Sequence, residues 1–459
     1  MIKIFNTLTK QKEAFELREG KKVQMFVCGP TVYDYIHIGN ARTFVIFDVV
    51  AKYLRYRGYD VDYIQNITDI DNKIIDRAQK EGIDPLEYAK KYSDIFKEDM
   101  KSLGITAPEY KNATDHIPEV IKQVQTLLDK GNAYLIENDG IYFDLATFTD
   151  YGKLSGRTAS MANDAVSRID DSDKKRNRGD FALWKFSKEG DPTWPAPFGN
   201  GRPGWHIEDT SITEKYFGPQ YDIHGGGQDL IFPHHEAEIA QQESASGLKP
   251  FVRYWMHSGF LINKESKMSK SLGNFETANE LLKKYPKEVL RFYFLSNHYR
   301  SPLDFSDAIL RQSEAAIQRI SEFKKGLELA SEDKESETID LEKTEKDFFE
   351  KMDDDFNIPE ALGHLFSLIR QVNSLLKTSM VSKKDSQSIL EFINKIDTIL
   401  EVIPTKEQSI PGEIEGLIEK REGFRKEEKW KEADKIRAQI EEMGYQVEDT
   451  VYGPFISPR

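Results

Sequence analysis

Along the chain the period of apolar and polar positions changes several times, and each change predicts an element. The run KKVQMFVCG places Val23 to Val27 in a short buried strand, closed by Gly29 and Pro30. From about His37 the period becomes helical: Ile46, Val50, Tyr53 and Leu54 recur at helix spacing, and Gly58 is a natural stop. DVDYIQNIT then reads as a second strand. Strand, helix and strand in so short a span form a crossover unit, which implies parallel pairing. Ligands at such sheets gather at the carboxyl ends of the strands, where Cys28, His37 and Thr68 fall.

Residues from about 70 to 130 keep a helical pattern, and GKLSGRTASMANDAVSRIDDSDKKRNRGD is polar and loop-rich, as an inserted segment would be. Around DFALWKFSKEGDPTWPAPFGNGRPGWHIED, Trp, Pro and Gly become dense. After about residue 310 the acidic stretch ELASEDKESETIDLEKTEKDFFEKMDDDF reads as a solvated helix face or linker. Several helices follow. The last long one, KREGFRKEEKWKEADKIRAQIEEMG, ends at Gly444, and YQVEDTVYGPFISPR predicts a small terminal strand pair.

Composition narrows the class. A chain of 459 residues with 39% hydrophobic residues can bury sizeable cores, and the length suggests roughly three domains. A single cysteine excludes an internal disulfide framework and fits a reducing compartment. MIKIFNTLTKQKEAF lacks a signal-type apolar core, and FVIFDVV is too short to span a bilayer, so a cytoplasmic protein is expected. The net charge of -14 argues against indiscriminate nucleic-acid binding, while leaving room for a selective RNA partner on local basic patches.

Two short stretches suggest a polyphosphate site. HIGN, residues 37 to 40, opens the first crossover helix, and a helix N-terminus offers unpaired N–H groups to an anion. Gly39 allows close approach, and His37 and Asn40 can donate to phosphate oxygens. SKMSKSLGN, residues 266 to 274, sets Lys267 and Lys270 in a loop of small residues. Alone, either stretch reads equally as a capping histidine or a solvated turn.

Together they resemble the signature pair of class I aminoacyl-tRNA synthetases. FVCGPTVYDYIHIGNAR, NITDIDNKII, DFALWK, GRPGWHIE, HGGGQDLIFPHHEAEIAQ, YWMHSGF and the closing WKEADKIRAQIEEMG are similar to blocks of cysteinyl-tRNA synthetases, nearly end to end. Asn40 replaces the final histidine of the class consensus and still donates a hydrogen bond. The resemblance implies an α/β fold: a Rossmann-like, doubly wound parallel-sheet catalytic domain with an insertion, then a mostly α-helical C-terminal tRNA-binding region. The expected divisions are the first catalytic half at 1–110, an inserted connective segment at 111–200 and the second half at 201–260. The KMSKS loop and stem-contact region follow at 261–315, a helical bundle at 316–405, and a small anticodon-binding domain at 406–459.

In that family a zinc ion, held by two cysteines, a histidine and a glutamate, binds the substrate thiol. The resemblance puts Cys28, His234 and Glu238 in three of these places. His234 and Glu238, at i and i+4, leave one helix face, with Pro233 as the first helical residue and with His235 and Glu236 pointing elsewhere. The second cysteine is replaced: GWHIEDTS carries Asp209 there. Two readings stay open. Asp209 ligates the ion, keeping three negative ligands; or it merely opens the next helix. SITE, with Ser211 and Glu214 as a capping box, is the better helix start and leaves Asp209 free.

The resemblance further implies ATP with Mg2+ as co-substrate. The cysteine carboxylate would attack the α-phosphorus, with His37, Asn40, Lys267 and Lys270 as the catalytic candidates and Gly39 beside them at the ATP. Gly29, Thr31, Thr68, Trp205 and Asp229 would form the cysteine pocket, Asp229 holding the ammonium, and His206 and His224 would line the adenylate. Zinc favours a soft thiolate over a hydroxyl, whereas a simple pocket separates such near-isosteres by only about 1–3 kcal/mol. Near the C-terminus, cations including Arg425 surround Trp430, and with Asp434 they are candidate RNA contacts. The equal alternative is an amphipathic helix with Ala433, Ile436, Ile440 and Met443 as its apolar stripe. The implied partners are tRNA(Cys), L-cysteine and ATP, with no membrane, and a monomer is expected rather than a dimer. Two alternatives remain: a ligase that transfers cysteine to an amino sugar, and a catalytically inactive RNA-binding paralogue.

Overall fold

The computed structural model describes residues 1–18, 20–157, 172–262, 276–329, 339–377, 380–404, 411–450 and 453–458. The described chain divides into two compact units, Met1–Ile309 with Glu350–Pro359, and Leu310–Phe349 with Glu360–Arg459.

The first unit opens with a hairpin of β1 (Lys3–Asn6) and β2 (Gln11–Ala14). The predicted crossover follows as β3 (Lys22–Val27), α1 (Ile38–Tyr56) and β4 (Asp60–Ile67). Phe44, Val45, Phe47 and Val49 are buried on several sides of α1, as expected of a helix enclosed by its domain. Gly58 follows it at φ +84°, a conformation that suits glycine and ends the helix. Next come α2 (Asn72–Glu81) and α3 (Pro85–Ser102), started by Asp71 and Asp84, whose carboxylates accept first-turn N–H groups. The expected helical stretch is broken by β5 (Glu109–Asn112), a strand with little pattern of its own that pairs parallel with β4. Helix α4 (Ile117–Asp129) leads into an antiparallel sheet of β6 (Ala133–Ile136), β7 (Gly140–Phe143), β8 (Phe181–Phe186) and β9 (Gly201–Pro203).

The chain then returns through α5 (Ile207–Phe217), β10 (Tyr221–Gly227), α6 (Glu236–Ser246) and β11 (Val252–Ser258). The main sheet has the order β11-β10-β3-β4-β5, and each adjacent pair is parallel. From β3 the chain runs outward one way through β4 and β5, and the other way through β10 and β11. The crevice at the carboxyl ends of β3 and β10 is therefore the topological switch point, where such sheets bind ligands. Cys28 follows β3, and His224 lies in β10, beside that crevice.

Strand β12 (Leu261–Ile262), helices α7 (Ala278–Lys284) and α8 (Lys287–Leu295), and β13 (Leu303–Asp304) complete this unit. Buried Arg42 on α1 donates at 2.8 Å to the carbonyls of both Gly259 and Ser301. The returning stretch is tied in by Asp355, whose carboxylate accepts from Phe5 N, Tyr299 OH and Arg300 Nε, each at 2.8 Å.

Helical segments α9 (Asp307–Glu328), α10 (Leu341–Asp353), α11 (Ile358–Leu376) and α12 (Lys383–Leu400) account for most of the second unit. It ends in α13 (Gly412–Lys426), α14 (Trp430–Glu442) and the expected antiparallel pair, β14 (Tyr445–Thr450) with β15 (Gly453–Pro458). Ile414, Ile440 and Val447 form its small core, with Ile436 packed against them. The apolar stripe of α14 is thus partly buried, while Met443 remains exposed. No described helix is long and apolar enough to cross a membrane.

Candidate metal centre

The donors come from four places around the switch point: the end of β3, the first turn of α5, the turn before α6, and α6 itself. Cys28, Asp209, His234 and Glu238 are all buried. Asp209 Oδ2 lies 3.1 Å from Cys28 Sγ and 3.1 Å from His234 Nε2. Glu238 Oε1 lies 3.0 Å from His234 Nε2 and 3.8 Å from Cys28 Sγ. A tetrahedral zinc site, with bonds of about 2.0–2.3 Å, has edges of about 3.3–3.8 Å. The donor set therefore fits one ion, as a cluster of one thiol, one imidazole and two carboxylates. Glu238 Oε2, also buried, takes no hydrogen bond among the described residues and lies 3.5 Å from His224 Nε2.

Charge supports the same conclusion. Burial raises the Cys28 thiol well above its usual value, and Asp209 and Glu238 raise it further. Burial likewise raises Glu238, with His234 opposing. At His234 burial works downward, but Glu238 and Asp209 outweigh it and hold the imidazole up at about 10. Protons here take the place that a cation would fill for three buried acidic groups.

Asn66 at the end of β4 orients this cluster. Its amide donates to Asp209 Oδ1 at 2.6 Å, and its Oδ1 accepts from Gly29 N at 2.6 Å. A Cβ on Gly29 would stand 1.7 Å from the Asn66 carbonyl oxygen, so no larger residue fits there. Asn66 was missed by the sequence reading; the one signal was an amide in the apolar end of a predicted strand.

Several expectations need correction. Helix α5 begins at Ile207, so Ser211 and Glu214 do not cap it, and Asp209 sits in its first turn. Asp209 thus both opens the helix and faces Cys28. Phe232 is extended (φ −144°, ψ 130°) and breaks the preceding turn, so the helical stretch that runs on into α6 starts at Pro233, as expected. His235 Nε2, however, points to Cys28 Sγ at 3.1 Å rather than elsewhere, whereas Glu236 does point away, to the backbone N–H of Ser155. His224 Nε2 lies 3.4 Å from the same sulfur, and His206 Nδ1 lies 2.7 Å from His234 Nδ1. Burial lowers His206, His224 and His235 well below the usual histidine value, and neighbouring imidazoles add to this.

Trp205 stacks on His234, with ring centres 4.3 Å apart, and stays 41% exposed, so one edge is open to a ligand. Thr31 and Thr68 pair as a parallel bridge, and Thr68 donates to Glu208 Oε2 at 2.7 Å. Glu208 is a second residue the sequence reading missed: it is fully buried, and its Oε1 has no hydrogen-bond partner among the described residues. Asp229 is exposed in the short turn after β10. At the phosphate end, His37 caps α1, and its Nδ1 accepts from Gly39 N at 3.2 Å. The ring proton of a neutral His37 therefore sits on Nε2, as a donor. Asn40 is exposed in the first turn of the same helix. Lys267 and Lys270 lie outside the described residues. On the second unit, the Arg425 guanidinium lies 5.7 Å from the centre of Trp430, a ring 56% exposed, and Asp434 is exposed nearby in sequence.

Comparison with known proteins agrees in every part of the chain. The model of the class I (C) tRNA synthetase catalytic domain matches residues 14–315, the DALR domain matches 347–403, and the cysteinyl-tRNA ligase anticodon binding domain matches 407–451. The chain is 46% identical to the cysteine–tRNA ligase of Carboxydothermus hydrogenoformans, over 98% of this chain and 99% of that one. It is also 46% identical to the cysteine–tRNA ligase of Caldicellulosiruptor saccharolyticus, over 98% of each. A solved structure of Mycobacterium tuberculosis methionyl-tRNA synthetase with methionyl-adenylate shares the fold at 17% identity and a TM-score of 0.63, covering 83% of this chain and 89% of that one. A parallel sheet with its switch point at Cys28, three matching domain families and full-length relatives lead to one conclusion: this chain belongs to the cysteinyl-tRNA synthetase family of class I aminoacyl-tRNA synthetases.

Proposed function

We propose that the chain is a cysteine–tRNA ligase. It activates L-cysteine with ATP to cysteinyl-adenylate and pyrophosphate, then passes the cysteinyl group to the 3′-terminal ribose of tRNA(Cys). The observation that carries this reading is the meeting of Cys28, Asp209, His234 and Glu238 in one buried cluster at the switch point.

The substrate carboxylate is already ionised, so its attack on the α-phosphorus needs no protein nucleophile or base. One P–O bond forms and the bond to the leaving pyrophosphate breaks. The work left to the protein is positioning and charge stabilisation. His37, with its ring proton on Nε2, and Asn40 present donors at the N-terminus of α1, where N–H groups already favour phosphate. Lys267 and Lys270 take their part from the motif. Thr68 spends its proton on Glu208, which leaves hydroxyl lone pairs for the substrate ammonium. Asp229 supplies a carboxylate for the same group, Gly29 and Thr31 line the floor, and the exposed edge of Trp205 covers the small side chain. A zinc ion held by the four donors would supply a soft acid that prefers a thiolate to a hydroxyl. In the second step the ribose hydroxyl attacks the adenylate carbonyl and AMP leaves. Mg2+ accompanies ATP.

Arg425, Trp430 and Asp434 form the proposed RNA contact of the C-terminal unit: a stacking face beside a guanidinium. The domain divisions, a cytoplasmic location and a monomeric state are parts of the same proposal. Charging of tRNA(Cys) transcript tests it. Radiolabelled cysteine should become acid-precipitable only with ATP and tRNA; transfer to an amino sugar instead, or no transfer at all, would overturn the reading.

A further inference from the structure

His224 and His235 stand outside the expected donor set, yet both are nearer the cysteine sulfur than Glu238 is. Their Nε2 atoms lie 3.4 and 3.1 Å from Cys28 Sγ, against 3.8 Å for the Glu238 oxygen. Both rings are fully buried and held from behind. His224 Nδ1 is 2.6 Å from the Tyr221 hydroxyl, and its ring stacks on Trp255 with centres 4.4 Å apart. His235 Nδ1 is 2.8 Å from His257 Nε2, and His257 Nδ1 is 2.8 Å from Thr7 Oγ1.

One arrangement of protons satisfies both chains. The Thr7 hydroxyl donates to His257 Nδ1, His257 Nε2–H donates to His235 Nδ1, and His235 Nε2–H then faces the sulfur. The Tyr221 hydroxyl donates to His224 Nδ1, which likewise leaves an Nε2–H, 3.4 Å from the sulfur and 3.5 Å from Glu238 Oε2. The reverse arrangement would set bare nitrogen lone pairs against a thiolate.

Resting on the metal reading above, we propose that His224 and His235 are positioning residues that donate N–H···S hydrogen bonds to the Cys28 thiolate and so limit the charge it passes to the bound ion. Such bonds to a charged acceptor are strong, and partners behind a ligand tune a metal. In this chain Asp209 stands at the place that the resemblance assigns to a second thiolate. One sulfur, with its charge partly drawn off by two donors, leaves the ion electron-poor and receptive to the sulfur of the incoming amino acid.

Cobalt substitution reads this directly, through the thiolate-to-cobalt charge-transfer band of the folded protein. His235→Ala should move the band to longer wavelength with the cobalt content unchanged. His235→Gln, which can return an N–H near the Nε2 position, should restore it. Thr7→Val, a gentler change at the far end of the chain, should give a smaller shift in the same direction. No shift in either His235→Ala or Thr7→Val overturns the proposal. So does a loss of bound cobalt with one fewer imidazole in X-ray absorption, which would make His235 a ligand. Absence of any cobalt–sulfur band in the unaltered protein would instead sink the underlying metal reading.

Discussion

Asp209 meets His234 through a single oxygen: Oδ2 lies 3.1 Å from the imidazole Nε2, while Oδ1 is held at 2.6 Å by the Asn66 amide. A carboxylate so divided offers one oxygen to an ion and keeps the other fixed from behind. Asn66→Ala should therefore weaken metal binding on the order of 10–100-fold, as read by competition with a chromophoric chelator. Unchanged affinity would mean that Asp209 needs no such support.

Asp209→Cys should restore a second thiolate. Softer ions gain most from sulfur, so cadmium affinity should rise more than cobalt affinity. Equal changes for the two ions would place residue 209 outside the coordination sphere.

Acidity gives a third expectation. In the metal-free folded protein, burial raises the Cys28 thiol and the Glu238 carboxyl, and at His234 burial is outweighed by Glu238 and Asp209, from 6.5 up to about 10. Groups raised on folding give stability that is full below their unfolded values and is lost as pH rises through the folded ones. For His234 that window runs from 6.5 to about 10. An ion displaces these protons and removes the loss. Thermal melts with and without chelator should thus diverge as pH rises across that window; a constant gap would contradict the assignment.

Backbone packing supplies a fourth. Gly29→Ala would push a methyl to 1.7 Å from the Asn66 carbonyl oxygen, and overpacking of this kind costs about 1–3 kcal/mol or more. The variant should unfold at lower urea concentration and retain less metal. A stable variant with full metal content would show that Asn66 can move without consequence.

How much was legible beforehand depended on whether the physics was local. The β3–α1–β4 crossover and the terminal strand pair followed from periodicity and glycine stops. Strand β5 did not, because Glu109–Asn112 has no alternation of its own and is strand only through pairing with β4. The donors Cys28, Asp209, His234 and Glu238 came from matching motifs, and Asp209 was left open because an aspartate in the place of a cysteine could instead merely open the next helix. The places of His224, His235 and Asn66 were out of reach. All three contacts depend on which distant elements lie adjacent, which spacing within one element does not show.

The central claim is that a bound metal ion selects cysteine. Cysteine-dependent exchange of pyrophosphate into ATP, measured alongside metal content by mass spectrometry, tests it most directly. The account predicts one tightly bound ion per chain, exchange with cysteine but not with serine, and loss of exchange on chelation that zinc reverses. Full cysteine-dependent exchange by protein that contains no metal would contradict it.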